Sequence, residues 1–288
     1  MKTGIIINHS YPGFYNMSTT LKKDLENLGN EVFILTNKDA LIKSDEELDF
    51  DKCIFFDKDV PLGLRLEMLG IRLYNNIGSI ELCDDKRRTY ELIRRDFKTP
   101  LTFPAPLSFT NSNCTDFLNT VEHSLGFPLV AKFAYGSLGK EVFLLNNRIE
   151  LDSFYNKNYN TPHLYQKFIS ESTGKDIRVY VIGGKACAAM TRENRNDFRA
   201  NIALGGTAKP FELNPDIAEL CENVASLLGL DFCGVDLLFS DDGYYICEVN
   251  SNAMFTHIST VTNVNLSQIL AEHINNDNII DIKINNIL

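Results

Sequence analysis

Three oxygen-bearing side chains late in the chain, Asp236, Glu248 and Asn250, are the residues whose type and spacing best suit chemistry. They stand in F-C-G-V-D-L-L-F-S-D-D-G-Y-Y-I-C-E-V-N, residues 232–250, which reads as two strands joined by a tight turn. Glu248 and Asn250 are two apart on one strand and share a face. A three-residue loop Asp241-Asp242-Gly243, with Gly243 left-handed at a bulge, sets Asp236 directly opposite Glu248. Two carboxylates opposed across an apolar hairpin repel, and a bound cation resolves the conflict. Carboxylate and amide oxygens are hard ligands suited to Mg²⁺ that also holds substrate phosphates. Two plainer readings remain: a solvated polar face, or a two-residue Asp-Gly turn that puts the pair on opposite faces.

A phosphate partner for that ion is suggested by F-P-L-V-A-K-F-A-Y-G-S-L-G-K-E-V-F-L, residues 127–144. It is a strand carrying Lys132, then a turn in which Gly136 and Gly139 flank Ser137 and Leu138, then a second strand. Such a turn leaves backbone N–H groups unshielded and free to fold over an anion, although a plain hairpin uses glycine in the same way. Lys86 opens an earlier helix and alone reads as a solvated lysine. Asp176 and Arg178 alternate with apolar residues on a strand, and Arg192 and Arg199 follow. Guanidinium forks beside a metal and phosphates suit clamping of phosphoryl or carboxylate oxygens; a solvated charged loop is the ordinary alternative.

The elements that must position these groups alternate at first between strand and helix. Gly4–Asn8 is a short β-branched run, Ser18–Leu28 has helical spacing with Ser18 as N-cap, and Gly29-Asn30 closes it before a strand at Glu31–Thr36. A strand at Cys53–Phe56, a helix around Leu62–Leu69 and a strand at Arg72–Tyr74 extend a parallel sheet. The result is a Rossmann-like unit without G-x-G-x-x-G, and the loop His9–Gly13 after its first strand is a candidate rim of a substrate site or an ordinary βα turn. Asp84–Phe97 reads as one charged helix, ended by T-P-L-T-F-P-A-P. Helix, strand, glycine turn, strand and helix then form a small α+β lid to about Tyr165. The strand-rich remainder carries helices at Asp216–Leu228 and Asn265–Asn275. The predicted units are 1–84, 85–165 and 166–288.

The chain has 288 residues with 44% apolar and 23% charged, which excludes disorder and fibrous repeats. Its net charge of −10 argues against a nucleic-acid partner. The early apolar run Ile5–Ile7 is too short for a secretory core or a membrane span, so no membrane association and a cytoplasmic location are expected. Seven cysteines without C-x-x-C and five scattered histidines offer no sulfur or imidazole metal site, which leaves oxygen ligation.

Taken in order, the motifs resemble the ATP-grasp superfamily, and within it the RimK-type carboxylate–amine ligases. The likeness covers nearly the whole chain and rests on C-D-D-K-R-R-T-Y-E-L-I, V-A-K-F-A-Y-G-S-L-G-K-E-V, Y-Q-K-F-I with K-D-I-R-V-Y-V-I, D-F-R-A-N, and G-V-D-L-L-F with E-V-N. It implies a mixed α/β and α+β ATP-grasp fold: an N-terminal Rossmann-like pre-ATP-grasp domain, a small central lid and a C-terminal metal-binding domain. It implies that Lys86 and Lys132 contact ATP phosphates and that Gly136, Ser137 and Gly139 close over them. Gln166, Lys167 and Phe168 would line the purine, with Asp176 near the ribose. Arg199 and Asn201 would touch the terminal phosphate, and Asp236, Glu248 and Asn250 would hold one or two Mg²⁺, or Mn²⁺ instead. Arg178, Arg192 and Arg199 are the expected catalytic cations. The implied reaction activates a carboxylate as an acyl-phosphate that an amine attacks, with an amino acid such as glutamate as one partner and a small molecule, peptide or carrier protein as the other. Dimers and tetramers are common in the family, so a homo-oligomer is compatible. Three departures stand out: Glu141 after the turn, Lys167 at the hinge, and Ser251-Asn252-Ala253-Met254-Phe255 where glutamate-adding relatives have small-Pro-Gly. The last is closer to lysine-biosynthesis-type relatives and leaves the acceptor open. A dipeptide or peptide-tailoring ligase, or a nucleotide-binding regulatory module without turnover, are the competing readings.

Overall fold

The computed structural model of the chain describes residues 1–110 and 114–277. Its first third contains β1 (Lys2–Ile7), α1 (Pro12–Asn27), β2 (Glu31–Thr36), α2 (Asn37–Leu41), β3 (Lys52–Phe56), α3 (Val60–Met68) and β4 (Arg72–Tyr74). These strands form one sheet in the order β2-β1-β3-β4, parallel throughout. Burial on both faces explains why β1 and β3 are continuous apolar runs rather than alternating ones.

Helix α1 begins at Pro12, six residues before the predicted Ser18 cap. Proline is pre-organised for the first helical position, where its missing N–H costs nothing, and Ser18 lies buried inside the helix. Pro12 and Gly13 of the predicted rim loop are therefore helical. The charged segment predicted as helical, Asp84–Phe97, is helical over α5 (Lys86–Ile93), which follows α4 (Ile77–Asp84) and is separated from it by an extended Asp85 whose carboxylate accepts the Arg87 N–H at 2.9 Å. A capping aspartate interrupts the pattern and turns Lys86 onto a helix N-terminus.

Next come β5 (Thr102–Pro104), α6 (Thr115–Leu125), β6 (Leu129–Phe133), β7 (Val142–Leu145), α7 (Arg148–Asn158) and β8 (His163–Lys167), with an antiparallel sheet ordered β5-β8-β6-β7. The third sheet uses β9 (Lys175–Ile182), β10 (Lys185–Glu193), β11 (Thr207–Pro210), β12 (Phe232–Ser240) and β13 (Gly243–Asn250), with α8 (Pro215–Leu227) crossing between β11 and β12. It is antiparallel in the order β11-β10-β9-β12-β13. Helices α9 (Thr256–Thr262) and α10 (Leu266–Asn276) close the described chain.

Period-two alternation divides the five-stranded sheet into two faces. Ile177, Val179, Val235, Leu237 and Val249 point one way and pack with Ile217, Cys221 and Val224 of α8. Tyr180, Ile182, Met190 and Phe232 point the other way and join Ile5, Phe56 and Leu270 in a core shared with the parallel sheet. Each such buried side chain contributes about 1.5–3 kcal/mol over an exposed one. Further along this second face the same alternation delivers Arg178, Asp176 and Asp236, so the apolar seam gives way to a charged floor. Two packing choices cross the predicted boundaries: Cys83 and Ile93 sit in the core under the third sheet, and Leu266, Leu270 and Ile274 of α10 pack with Leu21 and Leu25 of α1.

Candidate active site

Asp236 pairs directly with Glu248 across β12 and β13. The loop is nevertheless the two-residue Asp241-Asp242, since Ser240 pairs with Gly243. The register changes after Asp236, where Leu237 pairs with Ile246 and leaves Cys247 as an extra residue. That bulge restores to one face the pair that the short turn alone would have separated.

Around Asp236 the charges form an alternating row. Arg178 grips it with both fork nitrogens, Nη2 to Oδ2 at 2.7 Å. Arg192 Nη2 lies 3.0 Å from Asp236 Oδ1, and Arg192 also forks Asp176 through Nε at 2.7 Å and Nη2 at 2.6 Å. Burial works to raise the Asp236 pKa, but the charges of Arg178 and Arg192 outweigh it and hold the carboxyl below its usual range. Two carboxylates and two guanidiniums balance, which is what allows Asp176, Arg192 and Asp236 to be buried together. Gly234 makes room for this row: a Cβ there would lie 3.0 Å from Arg178 Cδ and 2.7 Å from Ala253 Cβ.

Asn250 Nδ2 is 3.5 Å from Asp236 Oδ2, and Lys86 Nζ is 3.4 Å from Glu248 Oε1. The donor set fits a hard divalent cation in part. Glu248 offers carboxylate oxygen on the same face, whereas Asn250 turns its amide nitrogen to Asp236, and Asp236 is already held by Arg178 and Arg192. Lys86 Nζ also donates to Gly136 O at 2.9 Å, so it ties the glycine turn to the carboxylate group.

Lys132 on β6 is 7% exposed, and Cys247 Sγ at 3.5 Å is its hydrogen-bond partner. Burial pushes the Cys247 thiol up, which keeps it neutral beside the ammonium. Among the described residues Lys132 makes no ion pair, and a buried ammonium in that condition is suited to an arriving anion. On the other side of the turn, Arg199 Nη1 donates to Gly139 O at 2.6 Å and Val142 O at 3.2 Å, with Asp197 taking its remaining fork. Gly139 has φ +75°, and a Cβ there would come within 2.6 Å of Asn201 Oδ1. Only glycine combines that backbone with that approach.

The structure thus gathers Lys86, Gly136, Glu248, Asp236, Asn250, Arg178 and Arg192 into one group and Gly139, Arg199 and Asn201 into its neighbour. It does not bring every predicted residue there. Both Asp176 oxygens are held by Arg192 inside the sheet, Lys167 is exposed, and Phe168 packs edge-on to Phe198 with centroids 6.4 Å apart. Gln166, by contrast, does line the cleft beside the group, although its amide is given to Thr102 Oγ1 at 2.9 Å. Between the sheets, a narrow cleft of about 30 Å³ is lined by Lys86, Lys132, Leu164, Gln166, Cys247 and Glu248. A wider depression of about 500 Å³ lies at Lys175 and residues 193–198.

Sequence reasoning gave no role to Asn75. Its Nδ2 donates to Phe232 O at 2.8 Å and Ser251 O at 2.9 Å, and its Oδ1 accepts from Asp231 N at 2.6 Å and Phe232 N at 3.1 Å. All four bonds of one buried amide therefore pin the start of β12 and the segment after Asn250. No local pattern marks a contact 157 residues away.

Among the described residues no helix is long and apolar enough to cross a membrane. Comparison with known proteins places this geometry in context. N-acetylaspartylglutamate synthase A of Homo sapiens is 34% identical over 222 residues, 75% of this chain, and the chain spans 56% of that relative's length. Alpha-aminoadipate–LysW ligase LysX of Saccharolobus solfataricus is 28% identical over 266 residues, covering 90% of this chain and 91% of its own. The fold is shared with a D-alanine–D-alanine ligase from Bacillus anthracis complexed with ATP, at TM-score 0.76 and 19% identity over 95% of this chain and 96% of that one. A RimK domain ATP-grasp protein from Sphaerobacter thermophilus matches at TM-score 0.73 and 16% identity, covering 95% and 99%. A family model described as RimK-like ATP-grasp domain matches residues 83–274, which is most of the chain and includes Lys86, Lys132, Gly136, Asp236, Glu248 and Asn250. The chain belongs to the RimK-like ATP-grasp domain family.

Proposed function

We propose that the protein is an ATP- and Mg²⁺-dependent ligase that joins a carboxylate to an amine through an acyl-phosphate, with an amino acid such as glutamate as one substrate. The observation that carries this reading is the convergence of Asp236, Glu248 and Asn250 on one sheet face beside Lys86 and the glycine turn. Relatives whose names join glutamate or aminoadipate to another molecule support it.

In this reading Glu248, Asn250 and Asp236 would hold the divalent ion, which when bound would supply charge screening for a phosphoryl group. Lys132 and Lys86 bind phosphate oxygens. Arg178, whose fork is on Asp236, and Arg199, whose fork is on Asp197, would add positive charge beside the transferring group, a stabilisation worth most where water is excluded. The cleft has room for about one water, so nucleotide entry requires the layer of β6 and β7 to move away and return as a cover. Cover matters because an acyl-phosphate hydrolyses if water reaches it. No nucleophilic side chain is required. Three domains, bounded near residues 84 and 165, and a cytoplasmic location belong to the same proposal.

The test is phosphate release from ATP across a panel of carboxylates and amines. Dependence on both co-substrates and on Mg²⁺ supports the ligase. No release with any pair supports a regulatory module instead.

A further inference from the structure

The turn that joins β6 to β7 is fastened at both of its ends by residues from outside its own sheet. At its start, Lys86 donates its backbone N–H to Ala134 O at 3.1 Å and its Nζ to Gly136 O at 2.9 Å, while Tyr135 gives its hydroxyl to Asp85 Oδ2 at 3.3 Å. Asp85 is a fixed anchor, because it is 2% exposed and Arg87 forks it at 3.0 and 2.6 Å. At its far end, Gly139 O and Val142 O both accept from Arg199 Nη1. Lys86 opens α5 and Arg199 lies between β10 and β11, so the turn bridges two walls of the site.

Two features oppose this clasp. Among the described residues Glu141 Oε2 is buried without a hydrogen-bond partner, packed where a Gly136 Cβ would lie 2.7 Å from it. A carboxylate oxygen so placed has lost water and found no donor, which favours any conformation that exposes it. Leu138 holds φ +61°, a left-handed backbone that is unfavourable for a residue with a side chain. The turn is therefore shut by its contacts and loaded against them.

The cations that close it are also those of the ligase reading. Lys86 and Arg199 direct N–H donors to neutral peptide carbonyls, and an ionised phosphate oxygen is the stronger acceptor. A nucleotide that reaches them releases the turn. Until then the turn covers a cleft with room for about one water.

We propose that the unliganded protein keeps this turn shut, with Tyr135 strengthening the clasp and Glu141 weakening it, so that opening of the turn limits nucleotide entry. The proposal rests on the nucleotide binding of the reading above. Tyr135 and Glu141 are positioning residues that act through the place of the turn.

The experiment is stopped-flow fluorescence with N-methylanthraniloyl-ATP and Mg²⁺ on wild type, Tyr135→Phe and Glu141→Met. The first variant removes one hydroxyl, and the second keeps the side-chain length and removes the charge. The expected wild-type rate levels off as nucleotide concentration rises, because opening precedes binding. That plateau is at least twofold higher in Tyr135→Phe and at least twofold lower in Glu141→Met, opposite shifts that a general loss of structure would not produce. Wild-type rates that rise in proportion to nucleotide without levelling overturn the clasp while leaving the ligase reading standing. A plateau moved less than twofold in either variant, or moved the same way in both, overturns the roles of Tyr135 and Glu141. Absence of binding to wild type overturns the nucleotide reading itself, and this proposal with it.

Discussion

Replacing Arg192 with methionine tests the charged floor on which the site rests. Arg192 is 5% exposed and makes three charge-assisted contacts, at 2.7 and 2.6 Å to Asp176 and 3.0 Å to Asp236. Methionine fills much of the volume but leaves two carboxylates buried with Arg178 alone between them. Breaking a buried ion group by removing one partner costs about 3–5 kcal/mol. With a urea dependence of about 2–3 kcal/mol per molar, the unfolding midpoint falls by about 1–2 M. The pH dependence has a definite sign. Asp236 has a depressed pKa in the folded wild type, so its contribution is present above its unfolded value of about 3.9 and is lost as pH falls through the folded one. In the variant the carboxylates repel and take up protons at higher pH, so the gap between variant and wild type narrows from pH 7 to pH 4.5. Urea titrations at both pH values, with the Arg192→Met/Asp176→Leu double variant as a control that restores most of the loss, measure this. A loss below about 1 kcal/mol at pH 7, or a gap that does not narrow, refutes the reasoning.

Gly234→Ala forces a Cβ to 2.7 Å from Ala253 Cβ and 3.0 Å from Arg178 Cδ, against ordinary contacts of about 3.5–4.0 Å. It lowers stability by about 1–3 kcal/mol and reduces turnover by displacing the Arg178 fork; unchanged kcat contradicts the positioning role. Lys132→Ala weakens ATP binding by calorimetry far more than it changes KM for the amine, and equal ATP affinity counts against its phosphate role. His163 is buried, which lowers its pKa below the ordinary value of about 6.5. Its contribution to stability is therefore present above pH 6.5 and is lost as pH falls toward the folded pKa. His163→Gln should show a smaller drop in urea midpoint between pH 7.5 and 5.5 than wild type, and an equal drop refutes the assignment.

What the chain's pattern revealed, and what it hid, follows from the range of the forces involved. The alternation Val235, Leu237 against Asp236 made the strand face legible, because burial imposes period two along a strand. The pairing of Asp236 with Glu248 was legible from that face, but its cause was not. The turn is shorter than predicted and a bulge at Cys247 makes up the difference, and nothing in I-C-E-V-N announces an unpaired residue. Local capping signals competed at the first helix, where Pro12 outweighed Ser18. Asp85 was readable as a cap only once its neighbours were known to be folded on the third sheet. The contacts least legible were those of greatest separation: Asn75 to Ser251, and α10 against α1, which unite the ends of the described chain in one core.

The central claim is that Asp236, Glu248 and Asn250 support phosphoryl transfer to a carboxylate. It is tested most directly by following ¹⁸O from a labelled carboxylate substrate into released phosphate, in wild type and in Glu248→Gln. The account predicts one labelled oxygen per phosphate in wild type and loss of that transfer in the variant with its fold intact. Unlabelled phosphate from a wild-type enzyme that makes amide, or full label transfer in Glu248→Gln, would contradict it.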